Sequence, residues 1–539
     1  MNKKIFKRVF VMAAAALLVT SCIEETFPES SSATADQVGG SASALEAALN
    51  GIPTQMSQWY YVYGEQVHET DMAYLMFPIA DTELLGDMYP EGSNSGYDWY
   101  RAYNICTGFG DNSYPAYLSW FSLYKLIKAA NDVISAAGEE PEGDALRTYA
   151  AEALTCRALY YYQLMVHWEP VENKYTDCSS VLGLTVPIVT EQTTGEDSKH
   201  NPRATHEEMV KFIISDLDKA EEMMVNAPKS KSLPSLACVY GVKARVYMWD
   251  KDYANAAKYA RLAIDTHKGT PVTEAQWLDV NNGFNTENQA WMWKATYSAE
   301  NMANLCNWTG WMSAEADWGY SSLTCPAIDR SLYDKIAYTD FRKYTFLDPD
   351  RSVYNYQSPR GQEWLDEMPD YLALKFRCKG GDFETYTIGG LVDVPIMRVE
   401  EFYFIEAEAV AASQGVDKGI ALLNSFMQTY RQPDYNYLSQ SGSLENFQKE
   451  VNTQMRIEFW GEGAGFAGAK RLKVGVMQNY AGTNAPADNF KINCEGIKPN
   501  WNFVIPRDEV DSNPELGKQN NPDPSNTVKG PTPEGQYAD

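Results

Sequence analysis

The stretch SLENFQKEVNTQMRIEFWGEGAGFAGAKR, residues 443–471, decides between two fold classes. Gly463, Gly465 and Gly468 spell G-x-G-x-x-G, the fingerprint of a dinucleotide site, which must follow a strand. Here Ser443 is a typical helix N-cap instead. The apolar residues after it recur in steps of four, which is a helical period: Phe447, Val451, Met455 and Phe459. The glycines therefore follow a helix, and we expect them to end it.

The same run comes close to a phosphate-binding loop, because Lys470 follows the glycines. In such a loop the lysine stands beside a Ser or Thr whose hydroxyl binds Mg²⁺. Here Lys470 is displaced from the expected spacing, and Arg471 follows it. The run therefore predicts neither kind of nucleotide site, and we interpret it as a turn that serves the fold.

Helical periodicity dominates much of the remaining chain. Residues 236–267 predict a helical hairpin that turns at Lys251-Asp252, and residues 397–431 predict another that turns at Gln414-Gly415. In the first hairpin, small and aromatic residues fall near the packing positions of a tetratricopeptide repeat: Ala244, Tyr247, Ala256, Ala260 and Ala263. The sequence thus predicts a mostly α fold built on a tetratricopeptide-like scaffold.

Changes in periodicity suggest how the chain is organised. We expect a single domain over residues 45–539, with the helical scaffold mainly at 45–269 and 395–465. Between about 270 and 395, glycine, asparagine, proline and aromatic residues are scattered, which indicates an irregular, ligand-binding lobe with short strands. The polar stretch from about 520 to 539 is expected to be a disordered tail.

The first 22 residues have the form of a lipoprotein signal peptide. Basic residues precede an apolar stretch at 9–19, which is too short to span a membrane. Cleavage after residue 21 would leave Cys22 as a lipidated, palmitate-type N-terminus at the head of a flexible tether, residues 22–44. Several acyl chains make a stable anchor. The alternative is an ordinary signal peptide with an incidental cysteine.

The charge balance limits the ligands. The chain carries 72 Asp and Glu residues against 45 Lys and Arg residues, a net charge of −27, and loss of the basic signal peptide makes it more negative. A protein this acidic repels nucleic acid and anionic lipid headgroups. We therefore expect no nucleic-acid partner, and a neutral ligand suits the protein better.

The sequence carries no recognisable catalytic or metal-binding motif. It lacks H-E-x-x-H and G-x-S-x-G, its five histidines lie far apart, and its cysteines form no C-x-x-C pair. Asp348-Pro349-Asp350 could contribute to a calcium site, but it matches no loop of defined ligand spacing. We expect no enzyme, no cofactor and no metal site, and the pairing of the cysteines stays open.

Three separated runs and Cys22 share the pattern of one known family. The runs are Met455–Gly463 with Lys470-Arg471, then Pro395-Ile396-Met397-Arg398 with Ala407-Glu408-Ala409, and a C-terminal set at Ile505-Pro506, Glu509, Asn513-Pro514, Leu516 and Gln519-Asn520. In these runs, and along most of its length, the chain resembles the SusD/RagB family of outer-membrane nutrient-binding lipoproteins, the starch-binding SusD-like proteins.

The resemblance carries expectations about fold and function. It implies about four tetratricopeptide-like helical hairpins with an irregular lobe. It also implies a lipoprotein on the outer membrane, facing outward, that captures oligo- or polysaccharide. The implied partner is a TonB-dependent (SusC-like) transporter, which the lipoprotein covers like a lid and to which it delivers the glycan.

Aromatic residues supply the candidate glycan contacts. The chain has 35 tyrosines and 14 tryptophans, and sugar rings pack their C–H faces on aromatic planes while amide side chains bond the hydroxyl groups. The family places its ligand between an N-terminal loop and the central lobe. The candidates in two polar, aromatic-rich stretches are Tyr97, Trp99, Asn104, Trp308, Trp311, Trp318 and Tyr320.

Burial in the core is the alternative role for each of these tryptophans. Two exposed aromatic platforms facing one groove would favour a glycan. A fully buried tryptophan cluster would favour either of two other functions. One is the same architecture binding peptides, as in RagB-like relatives, and the other is a non-catalytic helical-repeat scaffold.

Overall fold

The computed structural model describes residues 41–58, 60–62, 66–68, 72–91, 104–300, 302–304, 307–438 and 443–539. The predicted signal peptide, the lipidated Cys22 and most of the tether lie outside the described residues, as do Tyr97 and Trp99.

Helices dominate the described ranges. The seventeen helices found there are α1 Ala42–Ser57, α2 Met76–Leu84, α3 Tyr114–Ala137, α4 Asp144–Trp168, α5 His206–Met223, α6 Leu236–Asp250, α7 Tyr253–His267, α8 Glu274–Trp277, α9 Trp308–Met312, α10 Arg330–Tyr333, α11 Gln362–Glu367, α12 Tyr386–Gly389, α13 Glu400–Gln414, α14 Val416–Tyr430, α15 Leu444–Glu458, α16 Gly465–Arg471 and α17 Arg507–Ser512.

The strands are short and pair only two at a time in the described chain. They are β1 Tyr60–Val62, β2 Gln66–His68, β3 Met88–Glu91, β4 Trp291–Thr296, β5 Cys325–Ile328, β6 Asp393–Arg398, β7 Val476–Met477 and β8 Asn493–Cys494. All four pairs are antiparallel: β1 with β2, β3 with β5, β4 with β6, and β7 with β8.

The long helices pack as four successive pairs: α1 with α3, α4 with α5, α6 with α7, and α13 with α14. Neighbouring pairs contact each other through α3 and α4, α5 and α6, and α7 and α13, which makes one continuous helical array. The predicted mostly α fold is confirmed. Between α7 and α13 the chain forms only short helices and strands, and β5 joins this lobe to β3 of the N-terminal half.

Both predicted hairpins turn where expected. Lys251 adopts a left-handed conformation at φ 64°, and Asp252 then caps α7 by accepting a hydrogen bond from the Asn255 N–H at 3.1 Å. At the other hairpin, Gly415 has φ 116° between α13 and α14. A Cβ at Gly419 would overlap Ala407 and Ala411 of α13, so close packing of that pair requires glycine.

The glycine run ends a helix, as predicted. Helix α15 stops at Glu458, and Gly461 and Gly463 follow with φ values of 76° and 78°. The other two glycines of the motif, Gly465 and Gly468, lie inside α16, a short helix that the sequence did not indicate. A helix thus stands where a dinucleotide site needs a strand.

Lys470 has a structural role in place of phosphate binding. Its buried ammonium group donates hydrogen bonds to three main-chain carbonyl oxygens, those of Val166 at 2.8 Å, His167 at 3.2 Å and Trp501 at 2.7 Å. Two of these carbonyls belong to the last turn of α4, where the helix dipole favours a cation. Burial lowers the pKa of Lys470 to about 7.

The prediction of a disordered tail at 520–539 is wrong. Asn521 is buried and donates hydrogen bonds to the carbonyl oxygens of Trp168 at 2.8 Å and Phe503 at 2.7 Å. Val528 is buried in a small apolar cluster, and the Thr532 hydroxyl accepts a hydrogen bond from the Asn493 N–H at 3.0 Å. Proline, glycine and asparagine prevent regular secondary structure here, but side-chain and main-chain contacts hold the segment in place.

Glu458 lies at the centre of a buried ion network. Its carboxylate contacts Arg431 at 2.7 Å and both Arg398 and Arg342 at 3.1 Å, and all four side chains are almost completely inaccessible to solvent. Arg342 comes from the lobe, Arg398 from β6 and Arg431 from the end of α14. Because three guanidinium groups surround it, the pKa of Glu458 lies well below its usual range.

We expect Glu458→Gln to destabilise the fold strongly, because it leaves three buried cations with one carboxylate fewer. Losing one partner of a buried ion pair costs about 3–5 kcal/mol. Urea unfolding followed by circular dichroism measures the change. Glu445→Gln on the same helix is the matched control, since Glu445 is exposed and pairs only with exposed Lys449. Equal midpoints for the two variants would contradict this role for Glu458.

His206 gives the fold a pH dependence. As the first residue of α5, it lies between two carboxylates, with Nδ1 2.9 Å from Glu169 and Nε2 3.0 Å from Asp250. Its hydrogen bond with Glu169, followed by the contacts with Asp250, raises the pKa of His206 to about 9. The charged imidazole thereby ties α4, α5 and α6 together.

A raised pKa in the folded state adds stability that is complete below the unfolded pKa of about 6.5. This contribution falls as pH rises and is lost above about 9. We expect the unfolding free energies of wild type and His206→Gln to differ most near pH 6 and to converge by pH 10. The exposed His200, which forms no ion pair in the described residues, supplies the control His200→Gln. A gap that stays constant with pH would contradict a charge-based role.

Candidate ligand-binding site

The lobe buries the aromatic residues that the sequence offered as candidate glycan contacts. Trp308 and Trp311 lie on the short helix α9, and Trp318 and Tyr320 lie in the turn that follows. Their exposed fractions are 1%, 6%, 4% and 7%. The structure therefore places these four side chains in the core, the alternative to open loop platforms.

The burial has a local cause. Asn307 caps α9 and directs Trp308 inward, where its ring meets Phe376 edge-to-face at 5.1 Å. Trp318 packs with Ala316 and Cys378 beneath the half-buried rings of Phe383 and Tyr386. Polar neighbours in the sequence suggested a loop on the surface, but most of those polar groups are turned inward and hydrogen-bonded to the loop itself.

Asn104 is also buried, so its predicted role as a sugar contact is not supported by its position. Its amide nitrogen donates a hydrogen bond to the Met88 carbonyl oxygen at 3.2 Å. Its own main-chain oxygen accepts one from Lys498. These contacts fix the chain that follows residues 92–103 against strand β3.

Asn307 organises the aromatic loop. Its side-chain oxygen accepts hydrogen bonds from the Gly310 N–H at 2.7 Å, the Thr309 hydroxyl at 2.9 Å and the Trp318 indole N–H at 3.0 Å. Its amide nitrogen donates to two further carbonyl oxygens at 2.9 Å. Sequence analysis missed this residue, because an asparagine before a tryptophan has no distinctive pattern.

Two of the predicted residues meet at a pocket. The rings of Trp311 and Tyr320 lie 4.4 Å apart at 31° and line an opening between the lobe and helix α2. We call this the aromatic pocket. Ile79 and Glu83 of α2 form one wall, and Thr324 of the lobe supplies a hydroxyl.

The chain that carries Tyr97 and Trp99 leaves and returns beside this pocket. Glu91, the last residue of β3, pairs with Cys325 of β5, and Asn104 is bonded to Met88 of β3. Both flanks of residues 92–103 are therefore anchored at strand β3, whose Met88 and Pro90 also line the aromatic pocket. Whether Tyr97 and Trp99 contact a ligand stays a prediction.

A second aromatic surface lies on the outside of the lobe. The guanidinium carbon of Arg360 lies 5.5 Å from the Trp364 ring centre and 5.1 Å from that of Phe383, within the range of cation–π contacts. All three side chains are partly exposed. We call them the Trp364 face. Nothing in the sequence around Trp364 distinguished it from a core aromatic.

The site offers little for catalysis. Glu315, which lies near the tryptophans, is buried and pairs with Arg377 at 2.5 Å. Burial raises the pKa of Glu315, and this residue does not line the aromatic pocket. In the described ranges, no group of three or more His, Cys, Asp or Glu side chains could hold a metal ion.

The same part of the chain contains free thiols and no helix that could cross a membrane. The described cysteines outside the signal region are all free thiols: Cys106, Cys156, Cys178, Cys238, Cys325, Cys378 and Cys494. Of the helices in the described residues, none is long and apolar enough to cross a membrane.

Comparison with known proteins shows what the chain is similar to. Residues 66–248 match the family model SusD-like_3, described as starch-binding associating with outer membrane. Over 484 residues the chain is 23% identical to SusD-like protein P2 of Formosa agariphila, covering 84% of this chain and 88% of that protein.

Solved structures share the fold. A SusD-like carbohydrate binding protein from Bacteroides vulgatus superposes with a TM-score of 0.68 at 19% identity, over 89% of this chain and 98% of that one. A SusD superfamily protein from Bacteroides thetaiotaomicron gives 0.66 at 20% identity, over 89% and 100%. The chain is thus similar to SusD-like proteins over most of its length, and it shares their fold.

We expect Asn307→Ala to loosen the aromatic loop, because it leaves the Gly310 N–H and the Trp318 indole N–H without their acceptor. Buried donors left unsatisfied cost about 1–3 kcal/mol each. The unfolding free energy and the near-ultraviolet circular dichroism of the tryptophans report the change. Asn282→Ala, at an exposed position of the same lobe, should alter neither. An unchanged tryptophan signal in Asn307→Ala would show that the loop does not depend on this side chain.

Proposed function

We propose that the protein captures oligo- or polysaccharide at the cell surface and delivers it to a TonB-dependent (SusC-like) transporter of the outer membrane. The observation that carries the proposal is the aromatic pocket, in which Trp311 and Tyr320 meet beside the anchored ends of the segment that carries Tyr97 and Trp99. Support also comes from the matched family model, which is described as starch-binding, and from the B. vulgatus protein, which is described as carbohydrate binding.

The chemistry of the pocket suits a neutral glycan. Aromatic rings offer apolar faces for the C–H groups of a sugar ring, and Thr324 and Glu83 at the same pocket provide oxygen atoms for hydroxyl groups. The strongly negative chain disfavours polyanions. Because Trp311 and Tyr320 are largely buried, the sugar would contact their edges unless the pocket opens on binding.

Membrane attachment belongs to the same proposal. A lipidated Cys22 would anchor the protein in the outer membrane, and the tether up to residue 44 would leave the helical domain free to face outward. The family description, association with the outer membrane, supports this location. Replacing Cys22 by serine should shift the protein from the membrane fraction to the soluble fraction of the cell.

A peptide is the alternative ligand, and one observation favours it. Trp308 and Trp318 are buried, whereas a glycan site built on two open tryptophan platforms would expose them. Under this alternative the same architecture would bind short peptides through main-chain groups.

A fluorescence titration separates the two ligands. The chain from residue 23 keeps every residue that the structure describes, and its tryptophan emission would be followed against a panel of neutral oligosaccharides and short peptides. We expect saturable binding of a glycan that Tyr320→Ala and Trp99→Ala each weaken up to about tenfold, since an aromatic contact contributes about 0.5–1.5 kcal/mol beyond its buried area.

Trp364→Ala is the matched control, because it removes a partly exposed aromatic from a different face of the same lobe. If Trp364→Ala alone abolishes binding, the glycan binds at the Trp364 face and the pocket assignment is wrong. A response to peptides only, or to no ligand in the panel, would overturn the glycan function.

A further inference from the structure

A crevice in the helical scaffold has no role in the function proposed above. It lies between α2, α4, α6, β6 and the glycine turn after α15. We call it the scaffold crevice. Helix α2 separates it from the aromatic pocket: Phe77 and Asp81 line the crevice, whereas Ile79 and Glu83 line the pocket.

Polar groups without partners face into this crevice. The side chains of Tyr74 and Tyr162 are only 5% and 8% exposed, and their hydroxyl groups make no hydrogen bond with the described part of the chain. Arg245 binds Glu401 through Nε at 2.7 Å and through Nη2 at 2.6 Å. Its other terminal nitrogen, Nη1, has no acceptor among the described residues. These three donors line one small space, and the described residues provide no hydrogen-bond acceptor for any of them.

The charges of the crevice compensate one another. Arg245 pairs with Glu401, Arg398 pairs with Glu462 at 2.7 Å, and His167 contacts Asp81 at 2.6 Å. An ion entering the crevice would be repelled by the groups of its own sign, whereas a neutral molecule with several hydroxyl groups would not be repelled. Burial raises the pKa of both tyrosines, which keeps their hydroxyl groups protonated as donors at neutral pH.

The glycine turn shapes the crevice. A Cβ at Gly463 would come within 2.9 Å of the Pro78 Cα and 3.2 Å of an Asp81 carboxylate oxygen, so glycine lets this wall approach α2. The small residues Ala464 and Ala467 lie at the partly exposed mouth. The rings of Phe77 and Phe466 add apolar walls beside the polar groups.

We propose that the scaffold crevice is a second binding site, which takes one small neutral polyhydroxy molecule of the size of a monosaccharide. Its few polar groups among aromatic walls match the composition of small-molecule sites. Tyr74, Tyr162 and Arg245 donate to ligand oxygens, and the aromatic walls pack against the ring. The site does not depend on glycan capture at the aromatic pocket.

The test uses the chain from residue 23 and calorimetric titration with D-glucose, D-galactose and D-mannose, each tried separately, and with glycylglycine. We expect at least one monosaccharide to bind. Tyr74→Phe and Tyr162→Phe remove only the hydroxyl group and should each weaken that binding about three- to tenfold, the effect of one lost hydrogen bond. Tyr160→Phe is the control, because this tyrosine is also buried but lies outside the crevice.

The outcomes separate this site from the aromatic pocket. Weaker binding in both crevice variants, with Tyr160→Phe and Tyr320→Ala unchanged, supports the proposal. No binding of any of the three sugars overturns it, as does binding that neither crevice variant affects. Binding of glycylglycine alone overturns the assigned ligand class. Loss of monosaccharide binding in Tyr320→Ala would place the sugar in the aromatic pocket and likewise overturn the proposal.

Discussion

The carboxylate of Glu458 connects parts of the chain that are distant in sequence. Three arginines converge on it from the lobe, from β6 and from the end of α14, and Glu400 bridges two of them, with distances of 3.1 Å to Arg398 and 3.2 Å to Arg431. Such a cluster is stable only if every charge has its partner, because each buried ion has lost its water. The network therefore links the helical pairs to the lobe.

A second constraint acts at the end of helix α4. Two buried cations, Lys470 and Arg203, donate to carbonyl oxygens there without a carboxylate in direct contact; Arg203 binds the Trp168 oxygen at 2.7 Å and the Gln519 oxygen at 2.5 Å. Arg203 thereby ties α4 to the C-terminal segment, and Lys470 ties it to the glycine turn. The helix dipole and the carbonyl groups together replace a counter-ion. Burial lowers the pKa of Arg203 to about 10.

Periodic features of the sequence predicted the fold well. The turns at Lys251-Asp252 and Gln414-Gly415 follow from helical spacing and small residues, which are local properties. Contacts between distant segments carry no such signal. The tail at 520–539 has the composition of a disordered chain, yet Asn521 is held by Arg203, a residue more than 300 positions away, at 2.9 Å. Composition predicts whether a segment is ordered in isolation, whereas this segment is ordered through its contacts with distant parts of the chain.

The same limit explains the candidate site. Asparagine, glycine and serine around Trp308 and Trp318 suggested an exposed loop, because polar residues usually face water. In the structure Asn307 turns its polar side chain inward and hydrogen-bonds to five groups of the loop, including the Trp318 indole N–H. Trp318 is therefore buried with its hydrogen bond made, whereas the Trp308 indole N–H has no partner among the described residues. When the polar side chains of a loop form hydrogen bonds within that loop, they therefore do not indicate that its aromatic residues are exposed. The useful signal for a ligand site is a buried donor that the fold leaves without an acceptor, and no sequence pattern reveals that.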